Sequence, residues 1–213
     1  TKIIYNIETC IVKAIFFIFK FLGIKISSFI CGVLAVVIGP FTPPTRLIFK
    51  NLKLALPEKT FLQRFIIMIG IWNNLGRVIG EFPNIYKKSY KILDTLELDN
   101  NTKKNIEEVR NLKTGAIFFS GHFANWEVGI KTLLENNMIP RVVYRPMNNY
   151  ALDKYIIEHR ENYGVKMIHK GVRGVFELVK DLEDGKKIVI MADQRLKNGI
   201  DIPFLGVNAK TTD

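Results

Sequence analysis

The sequence is poor in the residues on which several common chemistries depend. Only two cysteines are present, Cys10 and Cys31, both inside an apolar leader and away from any histidine or acidic cluster. Neither a disulfide framework nor a cysteine-ligated metal is therefore expected, in keeping with a reducing compartment for the main body of the chain. There is no Gly-x-Ser-x-Gly elbow, no phosphate-binding P-loop and no pair of metal-ligand motifs. Those absences set aside serine-hydrolase, nucleotide-enzyme and zinc readings, and no metal or cofactor is expected. Internal repeats and low-complexity tracts are missing as well, and no Ala-x-Ala type cleavage site follows the leader, which argues against a cleaved signal peptide. The uncharged apolar stretch from Ile26 to Phe41 is 16 residues long, short of the roughly 20 that a simple membrane-spanning helix needs.

What is present is unevenly distributed. Of the 213 residues, 48% are hydrophobic, but the long apolar runs fall in the first eighty or so, and the remainder reads like a soluble domain. The expected organisation is an N-terminal membrane-associated helical region over residues 1–50 and a catalytic domain over 51–213. The chain begins at Thr1 without Met and stops at Asp213 with no turn signal, so a piece of a longer protein is expected. A formal net charge of +11 attracts polyanions of any kind. Combined with an apolar leader it favours an anionic lipid surface, where each nearby Lys or Arg contributes roughly 1 kcal/mol.

Lys13, Lys20 and Lys25 interrupt the leader. Lys13 and Lys20 are seven apart and share one helical face, so three arrangements stay open: a spanning helix whose lysines snorkel, an interfacial helix, or a buried hairpin. Residues 60–82 form a second apolar helix, with Thr60 at its N-cap and Pro57 just upstream. A polar stretch with turn residues Asp99, Asn100 and Asn101 follows. From Lys113 onward, short apolar strands at 115–120, 141–145, 165–168 and 187–192 alternate with helices at about 124–137, 150–163 and 172–184, with Gly164 and Gly185 as C-cap residues. This alternation predicts an α/β fold with a mainly parallel sheet flanked by helices. Ligands in such sheets bind beyond the carboxyl ends of the strands.

At the end of the first of these strands stands Ser120-Gly121-His122-Phe123-Ala124-Asn125-Trp126-Glu127. Within one continuous helix, residues five apart lie about 140° from each other, but a turn ahead of the helix lets His122 and Glu127 meet. The carboxylate then fixes one imidazole nitrogen as a donor, and the other is left to accept a proton. This is the orienting logic of a hydrolytic triad without its serine, so the substrate's own hydroxyl becomes the nucleophile. With three histidines and 20 acidic residues, a chance His-x4-acid pair arises about 0.3 times. Spacing alone is therefore weak, and the position after a buried strand carries the argument.

These residues, together with Asn51-Leu52, Pro57-Glu58, Gly80-Glu81-Phe82, Tyr144-Arg145-Pro146, Asn148-Asn149, Leu152-Asp153, Arg160, Gly164, Ala192-Asp193-Gln194 and Pro203-Phe204, give a chain that resembles the bacterial lipid A biosynthesis (lauroyl or myristoyl) acyltransferases. More distantly it is similar to glycerophospholipid acyltransferases, which carry Asp where Glu127 stands. The resemblance implies a glycerophospholipid-acyltransferase-like fold at the cytoplasmic side of the bacterial inner membrane. It implies transfer of a fatty acyl chain from acyl carrier protein to a hydroxyl of a phosphorylated glycolipid. It also implies His122 as general base, Glu127 as its partner, and Arg160 and Asp193 in the site.

Read physically, Arg145 and Arg160 can each grip a phosphate bidentately or pair locally on the surface. Asp193, at the end of an apolar strand, needs a cation, Arg160 or His122, unless it caps a turn. Gln194 can donate to a carbonyl or sugar, Asn125 joins the substrate-binding set, and Trp126 reads as packing. The rival readings are acylation of another phosphoglycolipid or a glycerophospholipid, and a catalytically silent membrane-surface binding protein. A nucleic-acid module is a third, suggested by Gly171-Val172-Arg173-Gly174 beside Lys170. A GxxG at a helix start is equally an ordinary anion-binding N-terminus, and the apolar leader has no place in such a module, so no nucleic-acid partner is expected.

Overall fold

The protein is described by a computed structural model covering residues 2–193, 199–204 and 206–211. Its chain divides into two compact units: Thr1–Phe16, Ile85–His122 and Trp126–Ala192 form the first, and Phe17–Asn84, Phe123–Asn125 and Asp193–Asp213 the second.

The first unit is built on a four-stranded, all-parallel sheet of β1 (Ala116–Ser120), β2 (Pro140–Tyr144), β3 (Lys166–His169) and β4 (Lys187–Met191) in the order β1-β4-β2-β3. The crossovers are α5 (Glu127–Glu135), α6 (Tyr150–Glu161) and α7 (Val172–Glu183). From β1 to β2 and from β2 to β3 the chain advances across the sheet, and from β3 to β4 it turns back. Right-handed crossovers then put α5 and α6 on one face and α7 on the other. Ile130, Leu133, Val142, Val165, Ile168, Ile188 and Val189 are buried between these layers. The α/β class and the βαβ alternation are as the sequence predicts. Gly164 (φ 95°) and Gly185 (φ 75°) do end their helices in the left-handed region. Where the second GxxG glycine sits, a Cβ would lie 1.9 Å from the His169 carbonyl oxygen, so Gly174 serves the close approach of α7 to β3.

α5 begins three residues later than the pattern predicts. Ala124 has φ 41°, which no right-handed helix accommodates, so the segment from Gly121 to Trp126 stays irregular and the helix opens at Glu127.

The second unit holds most of the apolar leader. The long helix α1 (Lys2–Ile38) is broken at Gly23 (φ 76°, ψ 170°). It is followed by a short 3-10 turn, by α2 (Pro44–Ala55) and by α3 (Phe61–Ile85). Thr60 and Gln63 form a reciprocal capping box at the start of α3, Gln63 N–H donating to Thr60 Oγ1 and Thr60 N–H to Gln63 Oε1. α1 and α3 approach closely through small residues. A Cβ at Gly76 would fall 2.2 Å from the Cys31 carbonyl oxygen, and one at Gly80 would fall 2.3 Å from that of Ser27. The Gly76-x3-Gly80 spacing thus admits backbone against backbone. Trp72 lies against Gly39 and donates to Thr45 Oγ1 at 3.1 Å. Strands β5 (Ile200–Phe204) and β6 (Val207–Thr211) make an antiparallel hairpin. In the first unit, α4 (Asn100–Asn111) is capped by Asp99, which accepts from Thr102 N–H.

α1 shows one apolar face outward. Ile3, Ile4, Ile7, Ile11, Ile15 and Ile18 are all exposed, whereas Thr9, Phe16 and Phe19 are buried. Its first turns are tied down within the first unit. Asn149, the N-cap of α6, donates from Nδ2 to the Tyr5 carbonyl and to Glu8, and the Lys13 ammonium lies 5.2 Å over the Tyr155 ring.

Candidate active site

His122 stands just beyond the carboxyl end of β1 and is exposed. β4 ends beside it, for Ala192 N–H continues the ladder to the Ser120 carbonyl at 2.9 Å. Glu127 is the first residue of α5, where unpaired backbone N–H groups favour a negative charge. It is only 1% exposed, and a buried carboxylate persists as an ion only if its lone pairs are satisfied.

Arg160, Tyr86 and Trp126 are among the groups that satisfy them. The Arg160 guanidinium engages both oxygens, NH2 on Oε1 and Nε on Oε2 at 3.4 Å. The Tyr86 hydroxyl donates to Oε2, and Trp126 Nε1 donates to Oε1 at 3.1 Å. These contacts engage both oxygens of a group that has roughly four acceptor positions to share among its donors. The His122 ring packs edge-on against Trp126 with centroids 5.0 Å apart. Trp126 therefore touches the histidine with its ring and the glutamate with its N–H.

Glu127 shifts the titration of its neighbours. Burial alone would lower the Arg160 pKa, but the Glu127 charge outweighs it and the guanidinium is held above its ordinary value. Burial, reinforced by the Glu127 charge, pushes the Tyr86 phenol well above its usual range, so it stays a donor at any physiological pH. The Tyr86 ring in turn stacks on Tyr163 at 5.9 Å, and Tyr163 meets the buried His159 edge-on at 5.3 Å.

The remaining expected residues are placed as follows. Arg160 turns its fork on Glu127, the pairing that local chemistry offered as the alternative to a phosphate. Arg145 is exposed just past β2. Asp193 is also exposed. The full desolvation cost of a buried charge therefore does not arise there. Gln194 lies outside the described residues. In the second unit, Asn125 donates from Nδ2 to Glu81 Oε2 at 2.5 Å, the Ser28 hydroxyl donates to Glu81 Oε1 at 2.7 Å, and Asn74 Nδ2 reaches the carbonyl of Ala124 at 3.2 Å. Glu81 and Asn74 of α3 thus fasten the motif's turn, including its one residue at positive φ.

Sequence reasoning missed Tyr86, and it read Trp126 as packing only. The one available signal for Tyr86 was a phenol just past the end of a long apolar helix, since such a hydroxyl needs a partner if it is buried. A further pair at the carboxyl edge of the sheet also went unread: Tyr144 Oη and His169 Nε2, on registered strand ends, are 2.9 Å apart. Burial, then Asp153 and Glu161, pushes the Tyr144 phenol up to about 12.

Compared with known proteins, residues 2–213 match the family model described as bacterial lipid A biosynthesis acyltransferase. No protein in the curated set matches the chain.

Proposed function

Because this chain belongs to the bacterial lipid A biosynthesis acyltransferase family, and is therefore an acyltransferase, we propose that it moves a fatty acyl chain from acyl carrier protein to a hydroxyl of a phosphorylated lipid A precursor, with His122 as general base and Glu127 as its orienting partner. The observation that carries this reading is the placing of an exposed imidazole past the end of β1, five residues before a buried carboxylate that accepts from Tyr86, Trp126 and Arg160.

In this mechanism an imidazole nitrogen of His122 takes the proton of the acceptor hydroxyl as that oxygen bonds to the thioester carbonyl carbon. The resulting imidazolium is stabilised by the Glu127 charge. The tetrahedral intermediate collapses, the carbon–sulfur bond breaks, and the thiolate leaves with the proton returned from His122. No covalent acyl-enzyme forms. Arg145, Gln194 and Asn125 are proposed to meet the acceptor, with Asp193 in the catalytic set.

The membrane is proposed to be the inner membrane, approached from its cytoplasmic side. α1 is long and apolar enough to cross a bilayer by length and composition. The break at Gly23 and the ties of its first turns to Asn149 and Tyr155 favour a helix lying in the interface with its isoleucine face in lipid.

The test is acyl transfer by the full-length protein with acyl carrier protein thioester as donor, against a phosphorylated glycolipid and a glycerophospholipid as rival acceptors. Turnover on the glycolipid and little on the glycerophospholipid is the expected result. The reverse preference reassigns the acceptor, and no transfer to either moves the silent membrane-binding reading to the front.

A further inference from the structure

We infer that Tyr86 is a positioning residue for the acyl transfer, acting through the hydrogen bond from its hydroxyl to Glu127 Oε2; the inference rests on the His122–Glu127 reading above. Tyr86 is 2% exposed, and its ring is held from the side by Tyr163. Its hydroxyl reaches the carboxylate from a different stretch of chain than Arg160 on α6 and Trp126 beside α5, and it interacts with the Arg160 guanidinium as well. A carboxylate gripped by Arg160 alone keeps freedom to swing about the axis of the fork. A third donor on the edge shared with Nε removes that freedom, and thereby fixes the edge that Glu127 can offer to an imidazole. Because Tyr86 acts through its bond to Glu127, its effect belongs to the orientation of that carboxylate and not to substrate binding.

The chemistry suits the task. A phenol whose pKa is raised donates without competing for a proton at working pH. A hydrogen bond to a charged group is also among the stronger ones a side chain makes. Tyrosine fits where serine or threonine would not, because the ring spans the distance from the helix end and packs as it does so.

Tyr86→Phe removes the hydroxyl and keeps the stacked ring. In the full-length protein, kcat is expected to fall about tenfold, with KM changed less than about twofold. The same substitution placed on Glu127→Gln is expected to cost little more, because the group through which Tyr86 acts is already altered. Urea unfolding of each variant reports whether the fold is intact, and Tyr163→Leu, which loosens the ring but keeps the hydroxyl, separates packing from hydrogen bonding. If Tyr86→Phe turns over at the wild-type rate, or its loss multiplies in full with that of Glu127→Gln, the positioning role is wrong while the acyl-transfer reading stands. A wild-type protein without transfer activity removes that reading and this role together.

Discussion

At the scale of single residues, the account turns on one buried carboxylate. Replacing Arg160 by Ala breaks a buried ion pair and strips Glu127 of its guanidinium partner, and the expected loss is about 3–5 kcal/mol of unfolding free energy. The Glu127→Ala/Arg160→Ala double variant should be less destabilised than the sum of the two singles, as urea titration of the four proteins can show. Lysine at position 160 keeps the charge but not the fork, so it should rescue stability only in part. The histidine and the glutamate were legible as a spaced pair at a strand end. Tyr86, Trp126 and Arg160, which hold Glu127, were not legible as a set, because they are far apart in sequence and only the tertiary fold of the first unit joins them. Asp193 teaches the converse. An apolar strand suggested a buried charge, whereas the residue two past the strand is already exposed.

At the scale of elements, small residues and carboxylates carry the testable content. Gly70 and Gly80 both lie within α3, yet a Cβ at Gly70 meets nothing within 4 Å while one at Gly80 meets backbone. Gly70→Ala should therefore stabilise by roughly 0.5–1 kcal/mol through helix propensity. Gly80→Ala should destabilise by about 1–3 kcal/mol because α1 must move away. Thermal melts of the two variants give opposite signs if the packing is right. In the first unit, Glu135 accepts from the backbone N–H groups of Ile92 and Leu93 and pairs with Lys131 at 3.2 Å. Burial raises its pKa, but those two N–H groups and Lys131 outweigh burial, and the carboxyl titrates below its usual range. A depressed folded value means that the contribution is complete above the unfolded pKa, near 4.3, and is lost as pH falls through the folded one. Glu135→Gln should thus be less stable than wild type at about pH 6, with the gap narrowing below about pH 4 in urea titrations. The strands, the helices and their glycine caps were readable because periodicity and turn chemistry are local. The start of α5 was not, since the positive φ of Ala124 is fastened by Asn74 from a distant helix.

At the scale of the whole molecule, excess positive charge and an outward isoleucine face on α1 are what the proposed contact with an anionic lipid surface rests on. Replacing Ile7 and Ile11 by Ser should weaken binding to anionic and to neutral vesicles alike, roughly tenfold or more, as read by flotation. Full retention would place the membrane contact elsewhere. The central claim, that His122 acts as a base oriented by Glu127, is tested most directly by the pH dependence of kcat/KM for acyl transfer in wild type, His122→Ala and Glu127→Gln. The account predicts a wild-type rate that rises as a single group deprotonates, a loss of roughly 10²-fold or more in His122→Ala with that limb abolished, and a displaced limb in Glu127→Gln. A His122→Ala protein that keeps the wild-type limb and rate would contradict it.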